Sequence, residues 1–450
     1  MRRVIIFGTA LLLFPLLGKA QAPGAAENAG KGTPMTLQEC LALGLENNYD
    51  LRIVRAEQAI TDNDATRGNA GFLPTVDLAT SYSGTLNDVK QERREGGSSS
   101  TNGVNNNNFN AGVDLSWTAF NGFSVQTTYK RLKELQAIGE LNTRMTVENY
   151  VSSLTAAYYN YINQLIRLKN MKRSVELSRE RVRIAELSYS IGVFSRQEYQ
   201  QAKLDLNADE STLIRQYETI HELRTLLNQL MGVNEVENLV MPADTAIYFD
   251  TKLHREEIHE SMLKDNVYLL VADRQKDVSG LDLKLAKSRS YPYLRVNTGY
   301  GYTQNWYGSG TNKRQRTMGL DYGVSLGITL FDGMNQRRQV RNAEKEIEIS
   351  ELSYQQTEQG LLKDLSDTWM AYANNMSLSG LERKNVELAR DNYRITMENY
   401  KESQLSGYEL RAAQVSLLDA EERLVTAEYD TKLCEITLMQ IAGRVLVYME

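Results

Sequence analysis

The segment VELARDNYRITMENYKESQLSGYEL, residues 386–410, occurs earlier in the chain as VELSRERVRIAELSYSIGVFSRQEY, residues 175–199. Subtracting 211 aligns the two segments without a gap, and this offset holds from Phe331 to Gly443. The residues of the second copy that recur in the first are Phe331, Gly333, Tyr372, Tyr400, Ser406, Glu409, Ala413, Leu417, Gln440 and Gly443. A constant offset over such a length marks an internal duplication, so the sequence predicts one structural unit built twice.

Apolar or small residues recur along the second copy at alternating steps of three and four. They are Leu410, Ala413, Leu417, Ala420, Leu424, Ala427, Thr431, Cys434, Leu438 and Ile441. This spacing is typical of the narrow seam of a coiled coil. No proline occurs from Thr75 to Met241 or from Tyr293 onward, so nothing forces a kink in either copy. The sequence therefore predicts two long helical hairpins, 122–231 and 333–442, whose first helices are each about 100 Å long.

Upstream of each predicted hairpin the pattern changes to strict alternation of apolar with polar or small residues, as in Phe109–Trp117 and Leu320–Leu330. Alternation of this kind predicts strands with one apolar face. The predicted strands are at about 73–87, 109–119, 291–304 and 317–330. Their length and apolar face are typical of outer-membrane barrels, although a β-sandwich would give the same pattern for each strand pair alone. The polar stretches Gly96–Asn108 and Asn305–Arg316 predict long loops.

The N-terminus has the pattern of a secretory signal peptide, predicted over 1–22. Its removal takes away Arg2, Arg3 and Lys19 and changes the net charge from −6 to −9. A linker, 23–35, follows. Thr36 and Glu39 then form a capping-box pattern at the start of a short helix. The remaining predicted units are a first repeat (36–232), a second linker (233–252), a second repeat (253–443) and a C-terminal tail (444–450).

Both repeats begin before their strands. The segment from Asn48 to Pro74 has a counterpart from Asn266 to Pro292, at an offset of 218. The offset therefore changes by seven residues before Phe120, and the loop that follows the first predicted strand is the expected place for this insertion.

Neither an enzymatic nor a nucleic-acid-binding pattern is present in the sequence. The three histidines, His221, His254 and His259, lack the spacing of a zinc-binding helix. There is no nucleotide motif and no basic run that would bind nucleic acid. We therefore predict no catalytic residues, no metal, no cofactor and no nucleic-acid partner. Cys40 and Cys434 are the only cysteines, and Cys434 occupies a seam position, where a thiol serves as a small apolar filler rather than as half of a disulfide.

Four strands cannot close a barrel, and lipid does not tolerate an open sheet edge, so the chain must associate if its strands cross a membrane. Two chains would supply eight strands; three would supply twelve, enough for a pore. The chain resembles the outer-membrane efflux protein family, the TolC-type channels, in an ordered set of motifs. These are Met35-Thr36-Leu37, Ala42-Leu43, Asn47-Asn48, Leu73-Pro74, Tyr291-Pro292, Trp117-Thr118-Ala119-Phe120-Asn121-Gly122, Leu330-Phe331-Asp332-Gly333, and Tyr189 and Gly192 with Glu198 and Ala202.

The resemblance implies a mixed α and β membrane protein. Each chain of a homotrimer would contribute four strands to a shared twelve-stranded outer-membrane β-barrel, above a long α-helical coiled-coil barrel, with 233–252 in an equatorial region. It also implies a Gram-negative outer-membrane location, contact with lipid, a periplasmic adaptor and an inner-membrane transporter. The implied function is a passive export duct of a tripartite efflux or type I secretion system. A periplasmic or surface coiled-coil scaffold without a pore is the alternative.

Two acidic residues, Glu198 and Glu409, are equivalent by the offset of 211 and follow the predicted hairpin turns. The resemblance places them at the periplasmic aperture, with Arg196 as a candidate partner for an acid of a neighbouring chain. An equally simple interpretation is that glutamate favours the first turn of a helix. The resemblance also places the hairpin tips against the adaptor, through Tyr189, Gly192, Val193, Phe194, Ser195, Tyr400, Ser403, Gln404, Leu405 and Ser406.

Overall fold

A computed structural model describes residues 32–92, 94, 96–402 and 404–449. The predicted signal peptide and most of the first linker lie outside these residues, as does Ser403. The helices are α1 (Leu37–Asn47), α2 (Tyr49–Asp64), α3 (Ser124–Ser190), α4 (Arg196–Leu230), α5 (Arg255–Asp265), α6 (Val267–Ser288), α7 (Asn335–Lys401) and α8 (Gly407–Ile441), followed by a 3₁₀ turn (Val445–Met449). The strands are β1 (Thr33–Met35), β2 (Thr75–Glu92), β3 (Ser98–Asn121), β4 (Val240–Pro242), β5 (Tyr293–Trp306) and β6 (Arg314–Gly327).

The long helical hairpins are present, and they are α3 with α4 and α7 with α8. In each repeat the first helix has 67 residues and the second has 35, and the bounds of the four helices differ by the offset of 211. At roughly 1.5 Å per residue, α3 and α7 are each about 100 Å long. Each begins after a residue in the left-handed conformation, Phe123 with φ 63° and Met334 with φ 65°. None of the helices in the described ranges combines the length and apolarity needed to span a bilayer.

The largest apolar core lies where the short helix α1 packs on the middle of α3. Leu154 and Tyr158 of α3 are four residues apart and are fully buried against Leu41 of α1. The capping box predicted for α1 is present, since the Glu39 N–H donates to Thr36 Oγ1 (3.2 Å) and the Thr36 N–H donates to Glu39 Oε2 (2.8 Å). Both cysteines are free thiols.

The predicted linkers contribute to this core region. Strand β1, within 23–35, pairs in parallel with β4, within 233–252. The Tyr158 hydroxyl, at the centre of the core, donates to Asp244 Oδ2 (2.9 Å) just beyond β4. These two segments therefore carry regular structure and tie the ends of the first repeat together.

The four long strands form one antiparallel sheet in the order β2-β3-β5-β6. Val76 pairs with Leu115, and their repeat equivalents Leu294 and Leu326 pair in the same way. The apolar face of this sheet is exposed along the chain, with Leu78 81% and Tyr322 86% accessible. No second sheet covers that face within the described residues. The β-sandwich interpretation is therefore wrong, and the apolar face is the outer surface of an unclosed sheet.

The first strand pair is longer than predicted. Most of Gly96–Asn108, expected to be a loop, belongs to β3, where Ser98 pairs with Glu92 and Asn108 pairs with Ser83. The loop predicted over Asn305–Arg316 shortens to the residues between Trp306 and Arg314. Backbone pairing continues here although most of the side chains are polar and exposed. Hydrophobic alternation detects only the part of a strand that has an apolar face.

Two other predicted element ends differ from the structure. Beyond α1, the sequence predicts a second helix from about Tyr49 to Ala70, but α2 ends at Asp64. The strand predicted to reach residue 330 ends at Gly327. In the first case Thr66 and Asn69 hold a polar turn, since the Asn69 N–H donates to Thr66 Oγ1 (3.2 Å). Such side-chain bonds to nearby backbone groups compete with continuation of a helix.

In each repeat, a glycine in the left-handed conformation follows the second helix of the hairpin. These glycines are Gly232 (φ 67°) and Gly443 (φ 69°). A Cβ on Gly443 would lie 2.5 Å from the carbonyl oxygen of Asp265, and one on Gly232 would lie 2.8 Å from that of Asn47. The neighbouring Asn266 side chain donates to the carbonyl of Ile441 (2.9 Å), locking the end of α8 to the start of α6. Both the dihedral angle and the close approach therefore require glycine.

We predict that Gly443→Ala destabilises the protein by more than about 1 kcal/mol, because alanine at this φ is strained and its methyl meets a carbonyl. Gly380→Ala is the matched control, since Gly380 lies in α7 with open space around its missing Cβ. It should leave stability unchanged or raise it by about 0.5–1 kcal/mol. The measurement is the thermal unfolding midpoint of the detergent-solubilised protein by circular dichroism. Equal midpoints for the two variants would contradict this prediction.

Candidate functional site

The free end of each helical hairpin is a tight turn, and the two turns close in the same way. In the first, the Val193 N–H donates to the carbonyl of Ser188 (2.9 Å), and Gly192 has a φ of 77° with open space around its missing Cβ. In the second, the Gln404 N–H donates to the carbonyl of Asn399 (2.9 Å). Val193 and Gln404 are equivalent by the offset of 211. The two turns therefore share this closing bond, although Ser403 stands where the first tip has a glycine.

Both predicted aperture acids are held in capping boxes at the starts of α4 and α8. The Ser195 N–H donates to Glu198 Oε2 (3.0 Å), and the Glu198 N–H donates to Ser195 Oγ (3.2 Å). In the second repeat the Ser406 N–H donates to Glu409 Oε2 (2.9 Å), and the Glu409 N–H donates to Ser406 Oγ (3.4 Å). In each repeat, the glutamate in the first turn of the helix thus bonds the serine at the N-cap of that helix. This pattern fixes the position of each carboxylate at its tip.

The two tips are joined by an aromatic contact. The rings of Phe194, in the first turn, and Tyr400, at the end of α7, lie 5.4 Å apart at 40°. Tyr400 is only 1% exposed and belongs to a cluster with Leu410 and Leu417 of α8. Burial raises the pKa of the Tyr400 phenol. The Tyr400 side chain therefore packs between the two hairpins and is not exposed at the second tip.

The surface of the first tip remains open. Tyr189 stacks on Tyr199 with ring centroids 5.8 Å apart at 9°, and Lys203 lies 4.3 Å from the Tyr199 ring centroid. Tyr189 and Val193 are exposed, as is the neighbouring Ile191. The first tip thus presents an aromatic and aliphatic surface on a stacked, rigid base.

The other predicted tip residues lie on or near the surface. Arg196 is exposed and forms no ion pair with any residue in the described part of the chain. Gln404 is exposed and its side chain donates to Glu402 Oε2 (2.8 Å), whereas Leu405 is half-buried. Ser403 lies outside the described residues. The structure thus brings Phe194 and Tyr400 together, and it holds Glu198 and Glu409 each beside its own serine.

A polar layer above the tips joins the two hairpins, and the sequence analysis missed it. Arg411 of α8 donates two hydrogen bonds to Asp209 of α4, each 2.7 Å long. The Ser178 hydroxyl of α3 donates to the same carboxylate (2.5 Å), and the Gln414 amide donates to Ser178 Oγ (2.7 Å). Arg181, which is 2% exposed, pairs with Asp205 beside this layer. Charged and amide groups therefore interrupt the aliphatic packing between the repeats near their free end.

The signal that would have revealed this layer is a mismatch between the repeats. Asp209 is equivalent to Ala420, Arg411 to Gln200 and Arg181 to Asn392. A charge that occurs in only one copy of a duplication marks a contact that only one copy makes. Positions at which the two repeats differ in charge therefore indicate where the repeats contact each other.

The first repeat and the second each match the same family model. That model, described as Outer membrane efflux protein, matches residues 41–233 and again residues 260–444. This chain belongs to the outer membrane efflux protein family. Its members and structural neighbours are channel proteins rather than enzymes. Membership places the chain in the outer membrane of a Gram-negative bacterium, extending into the periplasm.

Relatives of this efflux-family chain are distant in sequence but match it over nearly its whole length. It is 22% identical over 422 residues to Outer membrane protein TolC of Vibrio cholerae, with 88% of each protein covered. It is 18% identical over 410 residues to Outer membrane efflux protein BepC of Brucella suis, with 91% of this chain and 85% of BepC covered. The CmeC outer membrane channel of Campylobacter jejuni has the same fold, with a TM-score of 0.75 and 17% identity over 91% of this chain and 86% of CmeC.

We predict that Ser406→Ala loosens the start of α8 by about 1 kcal/mol, because it removes the hydroxyl of the capping box. Hydrogen bonds from the Ser406 N–H and hydroxyl hold the pKa of the Glu409 carboxyl below its usual value. The cap is therefore intact at neutral pH and weakens as pH falls through that lowered pKa. Amide hydrogen exchange of the first turn of α8 should rise about fivefold at neutral pH.

Ser353→Ala is the control for this prediction. The Ser353 hydroxyl donates to the carbonyl of Ile349 (2.8 Å) in the middle of α7, so its loss should leave the tip unchanged. If the two variants exchange alike at the start of α8, the capping box does not order the tip.

Proposed function

We propose that three copies of this chain form an outer-membrane export duct. Substrates would enter from a periplasmic adaptor and an inner-membrane transporter and leave at the cell exterior without energy input from the duct. The observation that carries this proposal is the four-stranded sheet, whose apolar face is exposed and whose outer edges, on β2 and β6, have no strand partner among the described residues. Open edges are not tolerated in lipid, so neighbouring copies must pair with them.

The number of copies follows from what the strands can enclose. Eight strands from two chains would form a barrel with an interior filled by side chains, whereas twelve from three chains leave room for a pore. Three copies also bring together six helical hairpins, each with a first helix about 100 Å long, enough to form the wall of a tube. A homotrimer therefore supplies both a membrane pore and a conduit that reaches far into the periplasm.

The outward apolar face supports a membrane-embedded channel over a scaffold. Tyr322, Leu326 and Leu78 project from the sheet into open space with no core behind them. A soluble coiled-coil scaffold would expose this whole face to water, which soluble proteins avoid. Contact with lipid removes that cost for a barrel of the outer membrane.

In this proposal, the partners at the periplasmic end of the duct supply selectivity and energy. The chain has no nucleotide-binding motif, so a transporter in the inner membrane must drive transport. The exposed apolar residues of the first tip, Ile191 and Val193, give an adaptor a surface to bind. The two tips of a chain differ in this respect, because Tyr400 of the second repeat is buried where its equivalent, Tyr189, is exposed.

The mass of the purified protein tests the assembly. Mature chain solubilised in detergent and measured by light scattering, with the detergent contribution subtracted, should have three times the mass of one chain. Reconstituted in planar bilayers, it should conduct ions. A water-soluble monomer that does not conduct would reject the duct.

Within this proposal Glu198 and Glu409 line the periplasmic aperture, where six carboxylates of a trimer would favour cations. The sharp test is the double variant Glu198→Gln/Glu409→Gln. Glutamine keeps the capping-box hydrogen bond and removes the charge, so the tips should stay folded. We expect the cation preference measured from reversal potentials to fall. If the preference is unchanged, the two glutamates act as helix caps only.

A further inference from the structure

We infer that Arg314 and Arg316, at the outer end of β6, bind the phosphate of a lipid head group in the outer leaflet of the membrane. The inference rests on the proposed duct in one respect, which is that the four long strands cross that membrane. It assigns a ligand to two arginines that the duct itself does not use. The ligand is an amphiphile with an anionic phosphate at its head and acyl chains beneath it.

Strand alternation places both arginines on the apolar face of the sheet. Successive side chains of a strand point to opposite faces, so the even-numbered residues of β6 share one face. Leu320, Tyr322 and Leu326 are exposed on that face. Arg314 and Arg316 continue the same row and are also exposed. Their side chains therefore extend from the surface that faces lipid, and not from the polar face of the sheet.

The height of the arginines matches the boundary between hydrocarbon and head groups. The strand advances ten residues from Leu326 to Arg316. At roughly 3.4 Å per residue and a tilt of about 35–45°, this advance gives a height of about 25 Å. The apolar band of an outer-membrane barrel is also about 25 Å tall. Arg316 therefore lies where the band ends, and Arg314 lies just beyond it.

Aromatic side chains mark the same level on the neighbouring strands. Trp306 of β5 lies opposite Arg314. Its ring centroid is 6.4 Å from that of Tyr82 on β2, and the rings of Phe109 and Tyr302 are also 6.4 Å apart. Aromatic residues of outer-membrane barrels form bands at the two membrane interfaces. The helices leave the sheet at its opposite end, so this band marks the outer interface.

Neither arginine forms an ion pair with a residue in the described part of the chain. The acids near this end of the sheet have other partners, since Asp88 accepts the Gly103 N–H (2.7 Å) and Glu92 pairs with Lys90 (3.5 Å). Residues two apart in a strand have Cα atoms about 7 Å apart, so both guanidinium groups can reach one head group. A guanidinium binds phosphate through two parallel hydrogen bonds.

The first repeat lacks this pair of cations. By the offset of 211, Arg314 and Arg316 are equivalent to Gly103 and Asn105, which are uncharged. The two arginines are therefore not a shared feature of the duplicated unit. Each chain has one such pair, at the outer end of its second strand pair.

The surface beneath the arginines distinguishes a lipid from free phosphate. Met318 and Leu320 of β6 are exposed on the same face, as is Tyr300, which lies opposite Leu320 on β5. An acyl chain that lies along these side chains buries apolar surface while its head group meets the guanidinium groups above. Free phosphate would make only the second contact. The occupant is therefore a phosphorylated lipid.

Native mass spectrometry of the full mature chain, purified in detergent and stripped of lipid, tests the site. The probe is lipid A with two phosphates, and the reference is the same lipid after both phosphates are removed. The wild type should bind the phosphorylated form about tenfold more tightly. Arg314→Gln/Arg316→Gln should remove this difference. Arg314→Lys/Arg316→Lys should lose about threefold in affinity, because an ammonium keeps the charge but cannot form the bidentate pair.

Arg295→Gln is the matched control for the loss of a positive charge. Arg295 lies on the other face of β5, opposite Ser325, and its guanidinium is 4.8 Å from the ring centroid of Tyr293. This variant should bind phosphorylated lipid A as the wild type does. Arg316→Gln removes the same charge from the site and should bind about threefold more weakly. Inorganic phosphate, at the concentration of the lipid, should not displace it.

The outcomes separate this inference from the proposed function. The substituted arginines are exposed, so the variants should remain trimeric and conducting. The lipid site is overturned, and the duct stands, if the wild type and Arg314→Gln/Arg316→Gln bind phosphorylated lipid A equally. The same holds if the wild type does not distinguish the two lipids, or if inorganic phosphate displaces the lipid. A wild type that is not a membrane-embedded trimer overturns both proposals.

Discussion

The unpaired backbone groups at the two edges of the sheet are the constraint on which the rest of this molecule depends. In water, the N–H and C=O groups of β2 and β6 could bond solvent, but in hydrocarbon each unpaired group costs several kcal/mol. The described residues contain four long strands, which cannot satisfy these groups alone. Assembly is thus a condition of membrane insertion.

The duplication gives each chain two equivalent structural units. Residues that differ between the two units give them different contacts. The two repeats have equal helix lengths and the same strand register, so each chain contains two structurally equivalent units. Asp209 and Arg411 break the symmetry, because their equivalents are Ala420 and Gln200. The contact between the two repeats of a chain therefore contains a charged pair that has no counterpart at the equivalent positions.

Periodicity predicted the parts of the fold whose side chains repeat with the geometry of the element. The seam from Leu410 to Ile441 predicted α8, and the alternation around Leu326 predicted β6. The polar end of β3 near Ser98 was not predicted, because backbone pairing and not side-chain burial stabilises it. At the tips, Ser195 and Glu198 form the capping pattern that local sequence can show, whereas the burial of Tyr400 depends on Phe194 from the other repeat. Contacts between distant segments leave no periodic signal in either one.

The unequal height of the two strand pairs has a consequence for how this protein meets its surroundings. The pairing of β3 with β5 begins at Asn107, so Ser98 to Val104 pairs only with β2 and forms a two-stranded ribbon above the sheet. This ribbon is rich in serine, threonine and asparagine, and its backbone hydrogen bonds join only β2 and β3. Its sequence can therefore change without disturbing the pairing of β3 with β5, which makes it the natural place to insert a displayed peptide.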